Sequence, residues 1–135
     1  LKSRDRRFGL DGANNGASMT EVAKTFRDLF PRRKKVVIFG ISRDKKLEPV
    51  LKPLLQRTSC LIVTKSSNPR AQEAKVIIEK ADEIGYKGPS FWSERVRGAL
   101  QIADEVCSNG AVLLITGSLF LVGEARELLK CRKFI

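Results

Sequence analysis

The stretch ITGSLFLVGEARELL, residues 115–129, joins the end of an apolar run to a helical segment. The run itself, GAVLLITG at residues 110–117, is rich in branched aliphatic side chains and bounded by glycine, as buried strands are. The segment that follows predicts a helix from about Ser118 to Lys130. Between strand and helix lie the small polar residues TGS, which either cap this helix or offer backbone amides to an anion at its start. A strand that turns directly into a helix is typical of α/β folds.

Short apolar runs alternate with longer segments of helical periodicity along the rest of the chain. Three further runs predict strands, the first more weakly than the others: FGLDGA at 8–13, KKVVIFG at 34–40 and CLIVTK at 60–65. Apolar residues spaced three and four apart predict four helices before the last one, at about 18–30, 47–55, 77–84 and 96–107. Buried strands that alternate with helices favour a mostly parallel sheet with helices on both faces. We therefore expect residues 1–135 to form one three-layer α/β domain.

Several helix ends carry signals of their own. The Ser-x-x-Glu pattern at 18–21 predicts a capping box for the first helix, and Ser93 predicts the cap of the fourth. Pro49 fits a first helical turn, whereas Pro53 removes an interior hydrogen bond, so the second helix should be short or kinked. The Asn-Gly pair at 109–110 predicts the turn before the last strand.

The composition is that of a globular chain. Of its 135 residues 42% are hydrophobic, and no apolar run reaches the ~18 residues that a membrane span requires. No secretory signal pattern opens the sequence, so we expect a soluble, intracellular protein. The three cysteines are odd in number and widely spaced, which argues against disulfides or a zinc knuckle and favours buried reduced thiols.

The net charge of +11, with no histidine at all, suits nucleic acid or anionic small molecules such as nucleotides. The basic residues are dispersed, and aromatic residues do not interleave with them as stacking platforms would, so the charge alone does not decide between these ligands. The absence of histidine excludes Ser-His-Asp and Cys-His nucleophilic arrangements. No Gly-Lys dipeptide and no G-x-G-x-x-G fingerprint occurs, which excludes a P-loop and weakens a dinucleotide site.

Polar, glycine-rich motifs follow the predicted strands at their carboxyl ends, where ligands bind in open α/β sheets. They are LDGANNGAS at 10–18, GISRDKK at 40–46, TKSSNPRAQ at 64–72 and TGS at 116–118. Each taken singly is explained as an ordinary turn or cap, but their convergence on one edge favours a binding face. There Asp11 can accept hydrogen bonds from ligand hydroxyls, and Asn68 with Arg70 can form a fork for a carboxylate.

Three of these segments carry a resemblance. LDGANN, NPRA and ITGSLFLVGEARELL, in this order and spacing, resemble the carboxyl-terminal domain of folylpolyglutamate synthase/dihydrofolate synthase, in the Mur ligase superfamily. The resemblance covers nearly the whole chain and implies a Rossmann-like fold of the Mur ligase C-terminal type. It also implies part of an ATP-dependent amide ligase, in which glutamate attacks the acyl phosphate of a folate or dihydropteroate, in the cytoplasm or an organelle. The amino-terminal ATPase domain, which would hold most of the ATP and Mg²⁺ contacts, is missing here, so we expect the chain alone to be inactive.

The resemblance also implies roles for individual residues. Asp11, Asn14 and Asn15 match the loop that binds ATP, and Asn68 and Arg70 match an Asn-Pro-Arg motif that implies contact with glutamate. Further rim positions match without a clear role, namely Ser42, Asp44, Lys45, Thr116 and Ser118.

The chain departs from the family pattern at four positions. Asn14 stands where histidine is usual and cannot carry charge near neutral pH, and Gly16 stands where proline would stiffen the turn. Ser67 replaces an aspartate, and Lys46 replaces an acid. Together with the net charge, the departures in the loop after the first strand leave an alternative open, namely a non-catalytic basic module that binds RNA or another protein. The dispersed positions of the basic residues argue against nucleic acid. A peptidoglycan amino-acid ligase domain is the other alternative, and the terminal block argues against it.

Overall fold

The computed structural model describes residues 7–107 and 110–132. Along these ranges strands and helices alternate strictly, in the order β1 (Arg7–Asp11), α1 (Gly16–Leu29), β2 (Lys35–Phe39), α2 (Leu47–Leu55), β3 (Cys60–Val63), α3 (Ala74–Glu83), β4 (Ser90–Trp92), α4 (Val96–Val106), β5 (Val112–Thr116) and α5 (Leu119–Arg132). None of the helices in these ranges combines the length and the apolar character that crossing a membrane requires. The predicted alternation of strands and helices is confirmed.

The described strands form one parallel sheet in the order β1-β5-β2-β3-β4. β2, β3 and β5 are buried along their whole length, which explains their unbroken apolar sequences. The predicted parallel sheet is therefore confirmed. Its strand order places β5 between β1 and β2, so the loops after these three strands lie side by side at one edge of the sheet.

Helices cover both faces of the sheet, as predicted for a three-layer domain. α1, α2 and α3 pack on one face, against side chains such as Val37 and Phe39. α4 and α5 pack on the other face, against side chains such as Val36 and Ile38. Successive residues of a strand point to opposite faces, so the single strand β2 contributes to both halves of the core.

The strand β4 was missing from the predicted elements. It has three residues, all of them exposed, and it pairs with Leu61–Val63 of β3 at the edge of the sheet. Three exposed residues show neither an apolar run nor a periodic pattern, so the strand depends on its neighbour and leaves no local signal.

Two predicted helix caps were wrong. α1 begins earlier than the Ser-x-x-Glu pattern suggests, because Asn15 is extended and its side-chain oxygen accepts a hydrogen bond from Ser18 N at 2.9 Å. Ser18 is thus the third helical residue, and its hydroxyl completes the box from that position. Before α4, Ser93 Oγ bonds the backbone of Arg95, which is itself the N-cap, so Ser93 lies two residues outside the cap.

The remaining local predictions agree with the structure where it can be compared. α2 has only nine residues and contains Pro53, as expected of a short helix. Cys60 and Cys107 are buried and reduced, and burial raises the pKa of the Cys60 thiol. Gly110 has a positive φ of 88°, while Asn109 and the side chain of Cys131 lie outside the described residues.

Candidate functional site

The carboxyl ends of the strands form the surface that the motifs predicted, referred to below as the carboxyl edge. β1 ends at Asp11, β2 at Phe39, β3 at Val63 and β5 at Thr116. The loop after each of these strands contains one of the four polar motifs. Because the strands are parallel, all four loops lie at the same edge of the sheet.

A surface cavity of about 270 Å³ lies at the carboxyl edge and draws on all four loops. It is lined by Asn14, Ser42, Asp44, Lys45, Asn68, Arg70, Gly117, Ser118, Leu119 and Phe120. Seven of the ten predicted site residues are therefore brought together. Asp11, Asn15 and Thr116 do not line this cavity.

The β1–α1 loop is held by its own side chains. Asp11 is exposed, and its Oδ1 accepts a hydrogen bond from Ala13 N at 2.9 Å, which tightens the turn after the strand. The side-chain oxygen of Asn15 caps α1 through Ser18 N. Asn15 therefore serves the helix start, whereas Asn14 lines the cavity.

The loops after β2 and β3 are joined to each other by backbone hydrogen bonds. Ser42 and Ala71 form an antiparallel bridge, Arg43 N donates to Arg70 O at 2.7 Å, and Gln72 N donates to Ile41 O at 2.8 Å. Lys45 on one loop and Arg70 on the other are thereby held at the same cavity.

Asn68 and Arg70 adopt a tight turn. The side-chain oxygen of Asn68 accepts a hydrogen bond from Arg70 N at 2.8 Å, and Asn68 N donates to the hydroxyl of Ser66 at 3.2 Å. Asn68 thus orients the backbone that carries Arg70. Pro69 between them suits such a turn because its φ is already fixed.

Asp44 is the acidic group of the cavity. The Ser42 hydroxyl donates to Asp44 Oδ1 at 2.5 Å, and Arg70 lies 3.5 Å from Asp44 Oδ2. The hydrogen bond from Ser42, helped by the charges of Arg70 and Lys45, lowers the pKa of Asp44 below its usual value. Asp44 is therefore a carboxylate at neutral pH and a counter-ion to Arg70. The side chains of Arg70 and Asp44 are 68% and 49% exposed, so water screens this ion pair and it is weak.

The TGS triplet ends β5 and starts α5. Gly117 has a positive φ of 110° and turns the chain, and Ser118 Oγ accepts hydrogen bonds from Phe120 N at 3.1 Å and Leu121 N at 3.4 Å. The capping interpretation of the triplet is therefore confirmed for Ser118. Two amides of the first turn are already bonded, which reduces what the helix start can offer to an anion.

Two features of the edge were not predicted. Glu124 of α5 accepts hydrogen bonds from Ser67 N at 2.6 Å and Ser67 Oγ at 2.5 Å, which ties the last helix to the β3–α3 loop. The hydroxyl of Ser67 is a donor that an ionised aspartate would lack. Leu119 and Phe120 line the cavity although they are 71% and 62% exposed, and no sequence pattern distinguishes them from core residues of the helix.

Comparison with known proteins agrees with this fold. The Mur ligase, glutamate ligase domain family matches the chain over residues 2–119, and the chain belongs to this family. Among curated relatives, a dihydrofolate synthase/folylpolyglutamate synthase from Bacillus subtilis is 29% identical over 121 residues, which are 90% of this chain and 27% of the relative. The predicted resemblance is confirmed.

Solved structures extend the comparison to the fold. Folylpolyglutamate synthase from Thermotoga maritima superimposes with a TM-score of 0.79 at 26% identity, over 96% of this chain and 29% of that one. FolC from E. coli in complex with ADP, without folate substrate, gives a TM-score of 0.84 at 20% identity, over 100% of this chain and 31% of that one. The α/β fold is thus shared. The chain spans about a third or less of the length of these relatives.

Proposed function

We propose that this chain is the glutamate-ligase part of an ATP-dependent dihydrofolate synthase/folylpolyglutamate synthase, and that residues 1–135 form one domain of that enzyme. The observation that carries the proposal is the convergence of Asn14, Asn68 and Arg70 on one cavity at the carboxyl edge. The name of the Bacillus subtilis relative favours a folate acceptor over a peptidoglycan one. The substrates are ATP, glutamate and a folate or dihydropteroate.

The nucleotide side of the site is the β1–α1 loop. Asp11 is exposed and one of its oxygens is fixed by Ala13 N, so the carboxylate is oriented to accept hydrogen bonds from ribose hydroxyls. The E. coli relative binds ADP, which supports a nucleotide in this family. No group of three acidic or cysteine side chains among residues 7–107 and 110–132 is placed to hold a metal ion. In this proposal the ATPase domain binds Mg²⁺, which would neutralise phosphate charge.

The glutamate side of the site is the β3–α3 loop. Arg70 presents a planar, permanently charged guanidinium suited to a carboxylate, and Asn68 fixes its backbone. Asp44 is the present partner of Arg70 at 3.5 Å, in an exposed and weak pair. The carboxylate of a bound glutamate can replace Asp44 as the partner of Arg70. Two parallel hydrogen bonds from the guanidinium to that carboxylate are stronger than the single contact of 3.5 Å to Asp44.

The reaction requires orientation more than acid–base chemistry from this chain. The amino nitrogen of glutamate attacks the acyl carbon, a C–N bond forms, the bond to phosphate oxygen breaks, and the nitrogen loses a proton as phosphate leaves. Holding the amine against the acyl phosphate converts a bimolecular step into a nearly unimolecular one. Lys45 and Arg70 at the cavity add positive charge toward the departing phosphate.

The experiment that tests the proposal is complementation in trans. The chain is combined with the amino-terminal ATPase domain of an active family member, and glutamate-dependent ADP formation is measured with a folate acceptor. Turnover should require both halves and should fall by about 100-fold or more in Asp11→Ala and Arg70→Ala, since each removes a charge-assisted contact to substrate. Arg32→Ala is the matched control, because Arg32 is also an exposed arginine but lies in the loop that enters β2 at the opposite end of the sheet.

A substitution at Asn14 gives a second test in the same turnover assay. Asn14→His should raise turnover if the imidazole of the family pattern contributes to the reaction. Stable docking without turnover, in both the wild type and Asn14→His, would contradict the ligase proposal. A steep loss of RNA affinity with salt would then favour the basic-module alternative.

A further inference from the structure

One buried hydroxyl group in the described part of the chain lacks a hydrogen-bond partner. The buried polar side chains are Lys35, Thr64, Ser66 and Thr116. The first three are bonded; the Thr64 hydroxyl, for example, donates to Ser93 O at 2.9 Å. Thr116 is 0% exposed, and its Oγ1 has no partner among residues 7–107 and 110–132. Valine has nearly the same shape and no such cost, so a threonine here needs an explanation.

Thr116 lies directly beside Asp11. In the parallel ladder Asp11 pairs with Thr116, and Thr116 pairs with Phe39. Residues paired in this way point to the same face, and Phe39 belongs to the face covered by α1. Neighbouring strands lie about 4.8 Å apart, so the Thr116 and Asp11 side chains are neighbours on this face of the sheet.

The Asp11 carboxylate has room for that contact. Its Oδ1 accepts from Ala13 N, while Oδ2 accepts no hydrogen bond from the described residues. A hydroxyl donor and a carboxylate acceptor therefore belong to paired residues of neighbouring strands, and no hydrogen bond joins them in the free protein. Both belong to the edge where the proposed function places the nucleotide.

We infer that Thr116 is a positioning residue for Asp11. The inference rests on the proposed function, in which Asp11 receives the hydroxyl groups of a nucleotide's ribose. When those hydroxyls donate to Asp11, the Thr116 hydroxyl donates to Oδ2 and fixes the carboxylate in the orientation that the ribose needs. Thr116 touches no ligand. Its hydroxyl has no hydrogen-bond partner among the described residues of the free protein and donates to Asp11 in the nucleotide complex.

The first test is the stability of the free chain. Thr116→Val should raise the melting temperature by about 2–5 °C, because it removes an unsatisfied buried group without changing the volume. Thr64→Val is the matched control: it removes a hydroxyl that is bonded to Ser93 O, and it should lower the melting temperature. A Thr116→Val variant that melts below the wild type would show that the hydroxyl already has a partner, and would overturn the inference.

The second test is ribose recognition by the chain assembled with an ATPase domain of an active relative. The affinities for ADP and for 2′,3′-dideoxy-ADP are compared by calorimetry. The wild type should prefer ADP by about 10-fold or more, Thr116→Val should lose most of this preference by binding ADP more weakly, and Thr116→Ser should keep it. The affinity for 2′,3′-dideoxy-ADP should be the same in all three.

The outcomes separate the inference from the function it rests on. If wild type and Thr116→Val discriminate equally, the inference fails and the proposed function stands. A wild type that binds both nucleotides equally well overturns the role of Asp11 and, with it, that of Thr116. A wild-type assembly that binds neither nucleotide contradicts the proposed function itself.

Discussion

Replacing Gly117 with alanine should destabilise the protein strongly, because two separate costs fall on this position. Its φ of 110° is a conformation that residues with a side chain rarely adopt, at a cost of about 1–3 kcal/mol. A Cβ there would also overlap the carbonyl oxygen of Gly40 and lie 2.8 Å from Phe39 Cε1. Both neighbours are buried, so relief requires movement of the core at about 1–3 kcal/mol. The free energy of unfolding should fall by roughly 2–6 kcal/mol, the sum of the two costs.

Two other glycines carry one of these costs each, and a third carries neither. Gly110 has a φ of 88° with open space around it, so Gly110→Ala carries only the conformational cost. Gly40 has no positive φ, but a Cβ there would lie 2.6 Å from Thr64 O, so Gly40→Ala carries only the overlap. Gly123 lies within α5 with nothing nearby, and Gly123→Ala should stabilise by about 0.5–1 kcal/mol.

The assay is urea unfolding followed by far-ultraviolet circular dichroism, with the free energy extrapolated to water for each variant. Gly117→Ala should lose about as much as Gly110→Ala and Gly40→Ala together. If it loses no more than Gly110→Ala, the overlap with Gly40 has been misjudged. If it loses no more than Gly40→Ala, the backbone argument is refuted.

Other regions make separate predictions. Burial raises the pKa of Tyr86, the only tyrosine, to about 12. The tyrosinate absorbance of the native protein should therefore appear near pH 12 instead of near pH 10, and Tyr86→Phe should remove that signal. Because the unfolded chain loses this proton near pH 10, native stability should fall between pH 10 and 12 by on the order of 1 kcal/mol after screening, a slope absent from Tyr86→Phe. Ser67→Asp should lower the free energy of unfolding by about 1–2 kcal/mol, since it replaces a donor to Glu124 by a like charge, and Ser67→Asn should lose less. Desolvation lowers the pKa of Lys35, so the unfolded chain retains this proton to a higher pH than the native protein does. The stability of the wild type relative to Lys35→Met should therefore rise as the pH approaches 10.5. A stability difference between the two proteins that does not change with pH would contradict this.

The layers of the fold were predictable because its strands are buried on both faces. β2, β3 and β5 leave unbroken apolar runs such as VVIF and LLIT, and the α1–α4 stripes follow helical spacing, so the alternation is visible without any long-range information. β4 depends on pairing with β3 and has no core-facing pattern of its own. The start of α1 was misplaced because Asn15 and Ser18 are both good caps, and only the backbone angles decide between them.

The candidate site was predictable to the extent that the carboxyl-end rule applies. It brings Asn14, Asn68, Arg70 and Ser118 together from three loops, as expected of a parallel sheet. Contacts between distant segments were not predictable. Ser67 and Glu124 are 57 residues apart, and their hydrogen bond depends on how α5 lies against the β3–α3 loop.

The backbone bridge between Ser42 and Ala71 has a consequence for anyone who re-engineers this protein. The hydrogen bonds on either side of it, from Arg43 N to Arg70 O and from Gln72 N to Ile41 O, fix the lengths of two loops against each other. An insertion in either loop alone would break the pairing, so a graft from a relative must exchange both segments as a matched pair. The two loops therefore form one structural unit at the carboxyl edge.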